Sequence, residues 1–289
     1  MGMQKTRNKK GIGFAVKLVA QLAVLMLVVC GTLTVVSYSK SSTIITETIE
    51  PNLADRAAEN AALLERRMEQ WFSESATLAR REGVAGMNWE TQKPIFISEA
   101  ERLGYIEFQV SDTTGKSMIP SSDVSFDLWD QWNFQITLAG EDYITPPLVS
   151  QADGKLIMVV TTPIYNAAET EIVGVLGANV TAEQFNQIVQ EIDLGENGYA
   201  YILDENGNRI ADKDINVVIE GCNDIEEYSG VAGYEEYVAT QQAMVAGETG
   251  VSEYTYGGLE YYVAYQPLGN QGWSIALAMP KDEVLSDVY

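Results

Sequence analysis

The 289-residue chain contains no histidine. That removes Ser-His-Asp and Cys-His catalysis and most zinc sites in one step. Cysteine is almost as scarce, with only Cys30 and Cys222 present. Cys30 falls in an apolar N-terminal segment and Cys222 far outside it. The two cannot pair, so the bulk of the chain must build its core without an internal disulfide. Basic residues are few, 18 Lys and Arg against 41 Asp and Glu, for a net charge of −23. Five of those 18 lie in the first seventeen residues, leaving −28 on the remainder. Phosphate binding needs the opposite sign, so nucleic acid is a poor partner, and solubility is the simplest reason for the acidity. No phosphate-cradling glycine loop or metal-ligand cluster is recognisable, so the residues point to no catalytic centre, metal or cofactor.

The N-terminus differs from the rest. Lys5, Arg7, Lys9, Lys10 and Lys17 precede nineteen uncharged residues, Leu18–Val36, and no acid appears before Glu47. Nineteen residues at about 1.5 Å each just span a hydrocarbon core of roughly 30 Å. The segment lacks the small-x-small site of a cleaved signal peptide. It predicts a basic cytoplasmic tail over 1–17, a transmembrane helix over 18–38 and an extracytoplasmic remainder, a single pass in the cell membrane.

Three short blocks then recur in order. "YIEFQVSDTTGKSMI" (105–119) matches "YAYILDENGNRIA" (199–211), pairing Asp112 with Asp204 and Gly115 with Gly207. "LAGEDY" (138–143) matches "VAGETG" (245–250), and "MVVTTPI" (158–164) matches "YVAYQPL" (262–268). Each copy reads as a hairpin, a helix and further strands, a small antiparallel sheet with helical cover. The stretch "DENGN" resembles the start of a calcium loop. Its sixth position is Arg209 rather than Gly, however, and no carboxylate stands at the twelfth. Asp, Asn and Gly there are better explained as hairpin-turn chemistry.

Residues 39–83 read as a long helix, with Leu53, Ala57, Leu64, Met68, Phe72 and Leu78 at roughly helical spacing. A second helix, "TAEQFNQIVQEI", carries a capping-box pattern at Thr181 and Gln184 and joins the two copies. The most unusual composition is 126–147, where Trp129, Trp132, Phe134 and Tyr143 are interleaved with carboxylates. Taken singly, these residues fit an amphipathic helix that buries Trp129, Trp132 and Ile136. Together they fit an aromatic-lined small-molecule pocket.

The order of these segments resembles the double Cache family, the extracytoplasmic sensor domain of bacterial methyl-accepting chemotaxis proteins and related sensor kinases. The likeness rests on "FQVSDTTGKSM", "YILDENGNRIA", "PIYNAAETEIVGVLGANVTAEQF" and "GWSIALAMPKDEV". It implies an α+β fold: an N-terminal transmembrane helix, a long helix and two PAS-like antiparallel-sheet lobes. The lobes would be membrane-distal (84–180) and membrane-proximal (195–289), with a connecting helix over 181–194. It implies a ligand in the distal lobe, its carboxylate held by an Arg and its ammonium by an Asp. No Arg occurs between Arg102 and Arg209; the implied positions fall near Gln131 and on Asn179. A bidentate carboxylate clamp is lost with the Arg, leaving a neutral metabolite, an amine or a binding protein as ligand.

The expected ligand-binding residues are therefore Trp129, Gln131, Trp132, Phe134, Tyr143 and Asn179. The chain stops at Tyr289, where the resemblance implies a second membrane helix and a signalling domain; it reads as truncated or as a singly anchored sensory module. The leading expectation is a membrane-anchored ligand-sensing domain of a chemoreceptor-type transducer, not an enzyme, with a homodimer possible through the long helix. Alternatives are the input domain of a sensor histidine kinase or cyclase, or a pilin-like surface protein.

Overall fold

The computed structural model describes residues 18–19, 22–23, 25–34, 49–121, 125–150, 154–269 and 271–286. The chain divides into two compact units, Met1–Pro51 and Asn52–Tyr289. In the first, residues 25–34 are helical. Among the described residues, no helix is long and apolar enough to cross a membrane. The basic tail, part of the 18–38 segment and the start of the expected long helix lie outside the described residues.

Helix α1 (Glu50–Ala79) is built largely from Ala, Leu, Glu and Arg, which lose little conformational freedom in a helix. Its buried line runs through Leu53, Ala57, Leu64, Met68, Trp71 and Leu78. Trp71, not Phe72, belongs to this line. The stripe advances in steps of three or four, and the indole meets Phe185 at 6.3 Å between ring centroids. Short α2 (Glu82–Ala85) and α3 (Trp89–Leu103) follow, and Gly104 ends α3 in a left-handed conformation.

The first sheet comprises β1 (Glu107–Asp112), β2 (Lys116–Met118), β3 (Ser125–Asp127), β4 (Tyr143–Ile144), β5 (Leu148–Val149), β6 (Leu156–Tyr165) and β7 (Ile172–Thr181). Its order is β3-β2-β1-β7-β6-β4, with β5 also on β6. Helix α4 (Trp132–Leu138) lies between β3 and β4, and α5 (Ala182–Gln190) follows β7. The second sheet comprises β8 (Tyr199–Leu203), β9 (Arg209–Asp212), β10 (Gly250–Tyr256), β11 (Leu259–Leu268) and β12 (Trp273–Pro280). Between β9 and β10 come α6 (Ile215–Ile219), α7 (Asp224–Tyr228) and α8 (Glu235–Val245), and α9 (Lys281–Ser286) closes the described chain.

The second sheet runs β9-β8-β12-β11-β10, and every strand pair in both sheets is antiparallel. Strand for strand this is the order β2-β1-β7-β6-β4 of the first, so the matched hairpins occupy equivalent places. Gly115 and Gly207 take the same left-handed φ, 89° and 86°. Asp204 accepts hydrogen bonds from the backbone N–H groups of Asn206 and Asn208 and from the Asn208 amide, at 2.8–2.9 Å. Its carboxylate is thus engaged in closing the turn.

Helix α1 runs along both lobes. Arg56 donates to the Asp193 carbonyl, at the end of the connecting segment just before the second lobe, and the Gly269 N–H of the second lobe donates to Glu65 (2.7 Å). Tyr105 of the first lobe donates to Glu74 (2.7 Å). Thr181 caps α5 by accepting the Gln184 N–H (3.1 Å). The reciprocal arm of a capping box is replaced, since the Gln184 side chain donates to the Gly104 carbonyl (3.4 Å).

Candidate functional site

Alternation along β1, β7 and β6 sends residues 107 and 109, 177 and 179, and 157 and 159 to one face of the first sheet. Asn179 is the direct cross-strand partner of Glu107 on one side and Val159 on the other. Gln109 stands opposite Gly177. A Cβ at Gly177 would lie 2.5 Å from the Gln109 side chain, so the glycine is what lets that amide lie across β7. Above this floor is a cavity of about 350 Å³, with Ile157 and Val159 as its apolar base and Gln131, Asn133 and Ser150 among its polar walls.

Asn179 is 6% exposed. Its Oδ1 is buried with no hydrogen-bond partner among the described residues. An unmatched buried acceptor costs about 1–3 kcal/mol, so a donor supplied there by water or a ligand would be stabilising. Glu107, half-buried, is the one charged residue among the described lining, and it accepts a hydrogen bond from Ser121 (2.7 Å).

The expected site residues separate into two groups. Gln131 and Asn179 both line the cavity, Gln131 at its exposed rim and Asn179 on its floor. Trp129, Trp132, Phe134 and Tyr143 are not among the lining residues. Nor does 126–147 form the single amphipathic helix that would bury its tryptophans. Asp127 accepts the Trp129 N–H (2.8 Å), and the Leu128 N–H donates to the Gly115 carbonyl (2.9 Å). These bonds hold 127–129 as a turn against the β1–β2 hairpin, so the helix starts only at Trp132. Trp129 and Trp132 are each 47% exposed, whereas Phe134 is core. Trp132 packs edge-on against Tyr143, 4.6 Å between centroids.

Sequence reasoning missed Glu107, Gln109 and Asn133. The signal lay in the duplication. Shifted by the same 92 positions that relate Asp112 to Asp204, Glu107 and Gln109 correspond to Tyr199 and Tyr201. One copy is polar where the other is aromatic.

The second lobe holds a cavity of about 410 Å³ on the equivalent face, walled by Tyr199, Tyr256 and Tyr261. Arg209 of β9 fills its inner end. The guanidinium donates to Asp212 (2.6 Å), Asp224 (2.8 Å) and the Tyr237 hydroxyl (2.7 Å), and lies 3.8 Å over the Tyr201 ring. Tyr237 donates in turn to Asp224 (2.8 Å). Burial raises the Asp212 carboxyl above the usual carboxylate range, outweighing the attraction of Arg209. Burial also opposes the charge on Arg209, but Tyr237, Asp224 and Asp212 together hold it firmly protonated. This network supplies its own cation, its own anions and an aromatic face.

Comparisons to known proteins agree with this fold. The Cache domain family (dCache_1) matches residues 41–288, so the chain belongs to it. The methyl-accepting chemotaxis protein McpA of Pseudomonas putida is 25% identical over 155 residues, 53% of this chain and 22% of that protein. PscA of Pseudomonas syringae, also a methyl-accepting chemotaxis protein, is 21% identical over 139 residues, 48% of this chain and 20% of that protein. The chain spans about a fifth of the length of these curated relatives. Among solved structures, it is similar to the ligand-binding domain of the Pseudomonas aeruginosa amino acid chemoreceptor PctB in complex with L-Arg. There the TM-score is 0.65 and the identity 18%, over 82% of this chain and 97% of that one. It is also similar to the ligand-binding domain of Pseudomonas fluorescens CtaA in complex with L-isoleucine, with TM-score 0.67 and 17% identity over 86% and 98%. At these identities the structural likeness is one of fold.

Proposed function

We propose that this chain is the ligand-sensing part of a membrane-anchored, chemoreceptor-type signal transducer, with a small molecule bound in the first-lobe cavity. The observation that carries the reading is the buried Oδ1 of Asn179, without a hydrogen-bond partner among the described residues, on the floor of a cavity of about 350 Å³. Gln131 and Asn179 contact the ligand, Trp129 and Trp132 flank the mouth, and Phe134 and Tyr143 support the wall. The chemotaxis proteins and the ligand-bound receptor domains above support the class.

The apolar run Leu18–Val36 anchors the chain, with its basic flank in the cytoplasm and both lobes outside. The N-terminal half of α1 meets the second lobe and its C-terminal end the first, which favours the second lobe (195–289) as membrane-proximal and the first (84–180) as distal. Two copies pair along α1, where Leu63 is 48% exposed. Ligand binding shifts the population between two arrangements of α1, because it binds one better than the other. The role is binding without turnover.

A thermal-shift screen of the full chain against metabolite libraries tests this. A hit should raise the melting temperature, and Asn179→Leu should remove the shift while the variant stays folded. A hit of undiminished affinity in that variant would place binding elsewhere.

A further inference from the structure

Resting on that reading of the first-lobe cavity, we infer that Glu107 is the charge partner of the ligand and that the ligand is a small organic cation, an amine or ammonium compound with no carboxylate. Three observations carry this. The first is the charge of the cavity. Among its described lining residues Glu107 is the one acidic side chain, and none is Lys or Arg. Between Arg102 and Arg209 the sequence offers only Lys116 and Lys155 as cations, and neither lines the cavity. A ligand carboxylate would meet Glu107 with no guanidinium to offset it, and an unpaired buried charge is strongly unfavourable.

The second is the pairing of acceptors. Glu107 and Asn179 are direct cross-strand partners, so their Cβ atoms lie about 4.5–5.5 Å apart on one face. A carboxylate with Ser121 as a side-chain donor and an amide oxygen with no partner among the described residues therefore occupy neighbouring positions on one face, and both can accept a further hydrogen bond. An ammonium, with three donors and a positive charge, satisfies both at once.

The third comes from the molecule's own second copy. The cavity on the equivalent face of the second sheet already holds a cation, the guanidinium of Arg209, over the Tyr201 ring and between two carboxylates. Gln109 corresponds to Tyr201 and Ser117 to Arg209, by the offset that relates the hairpins. Ser117 is fully buried and its hydroxyl is directed to the Val110 carbonyl (3.3 Å). The first lobe keeps acceptors at this face but has no Lys or Arg among its described cavity-lining residues, so its cation comes from outside.

Isothermal titration of the full chain with three matched pairs tests the inference: isobutylamine and L-valine, 2-methylbutylamine and L-isoleucine, and phenethylamine and L-phenylalanine. At least one amine should bind about tenfold or more tighter than its amino acid, and Glu107→Gln should weaken that amine about tenfold or more. Glu107 is half-buried with one side-chain partner, and a melting curve checks that the variant is folded. Gln131→Arg, which adds a cation to the wall, should move the preference toward the amino acid. An amino acid that binds as well as its amine would overturn the ligand class but leave the site standing, provided Asn179→Leu weakens it. No binding by any of the amines up to about 10 mM would also overturn the class. Amine binding that survives both Glu107→Gln and Asn179→Leu unchanged would sink the site itself.

Discussion

The two lobes use one sheet in opposite ways. In the second, the cavity face is a closed network in which Arg209, Asp212, Asp224 and Tyr237 satisfy one another beside a core of tyrosines. In the first, the same face carries Glu107, Gln109 and Asn179, and Asn179 Oδ1 finds no partner among the described residues. Duplication gave both copies the fold. A cavity face whose charged groups satisfy one another gains rigidity, and a cavity face that leaves an acceptor open gains a ligand site.

The sharpest way to break this contrast is to remove the internal cation. Arg209→Leu leaves Asp212 and Asp224 buried without their counter-charge. It should cost roughly 3–5 kcal/mol in thermal or denaturant unfolding, while the first-lobe cavity keeps its shape. A loss below about 1 kcal/mol would mean the second-lobe network is not the closed structure described.

Asn179→Leu should behave in the opposite way. Its Oδ1 contributes no hydrogen bond within the described protein, so stability should move by no more than about 1 kcal/mol, and ligand binding should fall about tenfold or more. Stability loss on the scale of Arg209→Leu would erase the distinction between the lobes. Gly177→Ala sharpens it further. The new Cβ would press on Gln109 at 2.5 Å, so the amide must swing off β7. Binding should weaken severalfold at a cost of about 1–3 kcal/mol in stability, measured by titration and melting of the same sample.

The smallest expected effect is acid sensitivity. Hydrogen bonds from Arg102 and then Arg81 hold the Glu99 carboxyl below its usual 4.5. Partial burial pushes Asp112 up, but bonds from Thr114 and Lys116 prevail and hold it below 3.8. A carboxylate whose folded pKa is depressed stabilises at neutral pH, and that contribution fades as pH falls through the folded value. Asp212 is raised, so it costs stability at neutral pH, and the cost is relieved as pH falls through its elevated value. Acidification should therefore lower hydrogen-exchange protection of the β1–β2 hairpin relative to β9. Equal loss in both would contradict these directions.

Much of the fold was legible because the duplicated hairpins carry backbone requirements. Asp112 with Gly115 and Asp204 with Gly207 mark turns that need a left-handed glycine, and a run of Ala, Leu, Glu and Arg marks α1. The positions of Gln131 and Asn179 at the cavity came from the resemblance rather than from any local pattern. The remainder was harder to read for physical reasons. The tryptophans of 126–147 suggested a buried aromatic surface, but the Asp127 turn leaves Trp129 and Trp132 half in solvent. Glu107 and Gln109 sit in a strand whose alternation looks ordinary until it is laid on β8. Trp71 displaced Phe72 because helix stripes drift, and one position is below what spacing resolves.

The central claim is that the first lobe, and not the second, takes the ligand. Hydrogen exchange of the full chain, with and without whichever of the three amines binds, tests it most directly. Added protection confined to β1, β6 and β7 is the predicted result. Protection appearing instead around β8, β9 and α7, with the first sheet unchanged, would contradict the account.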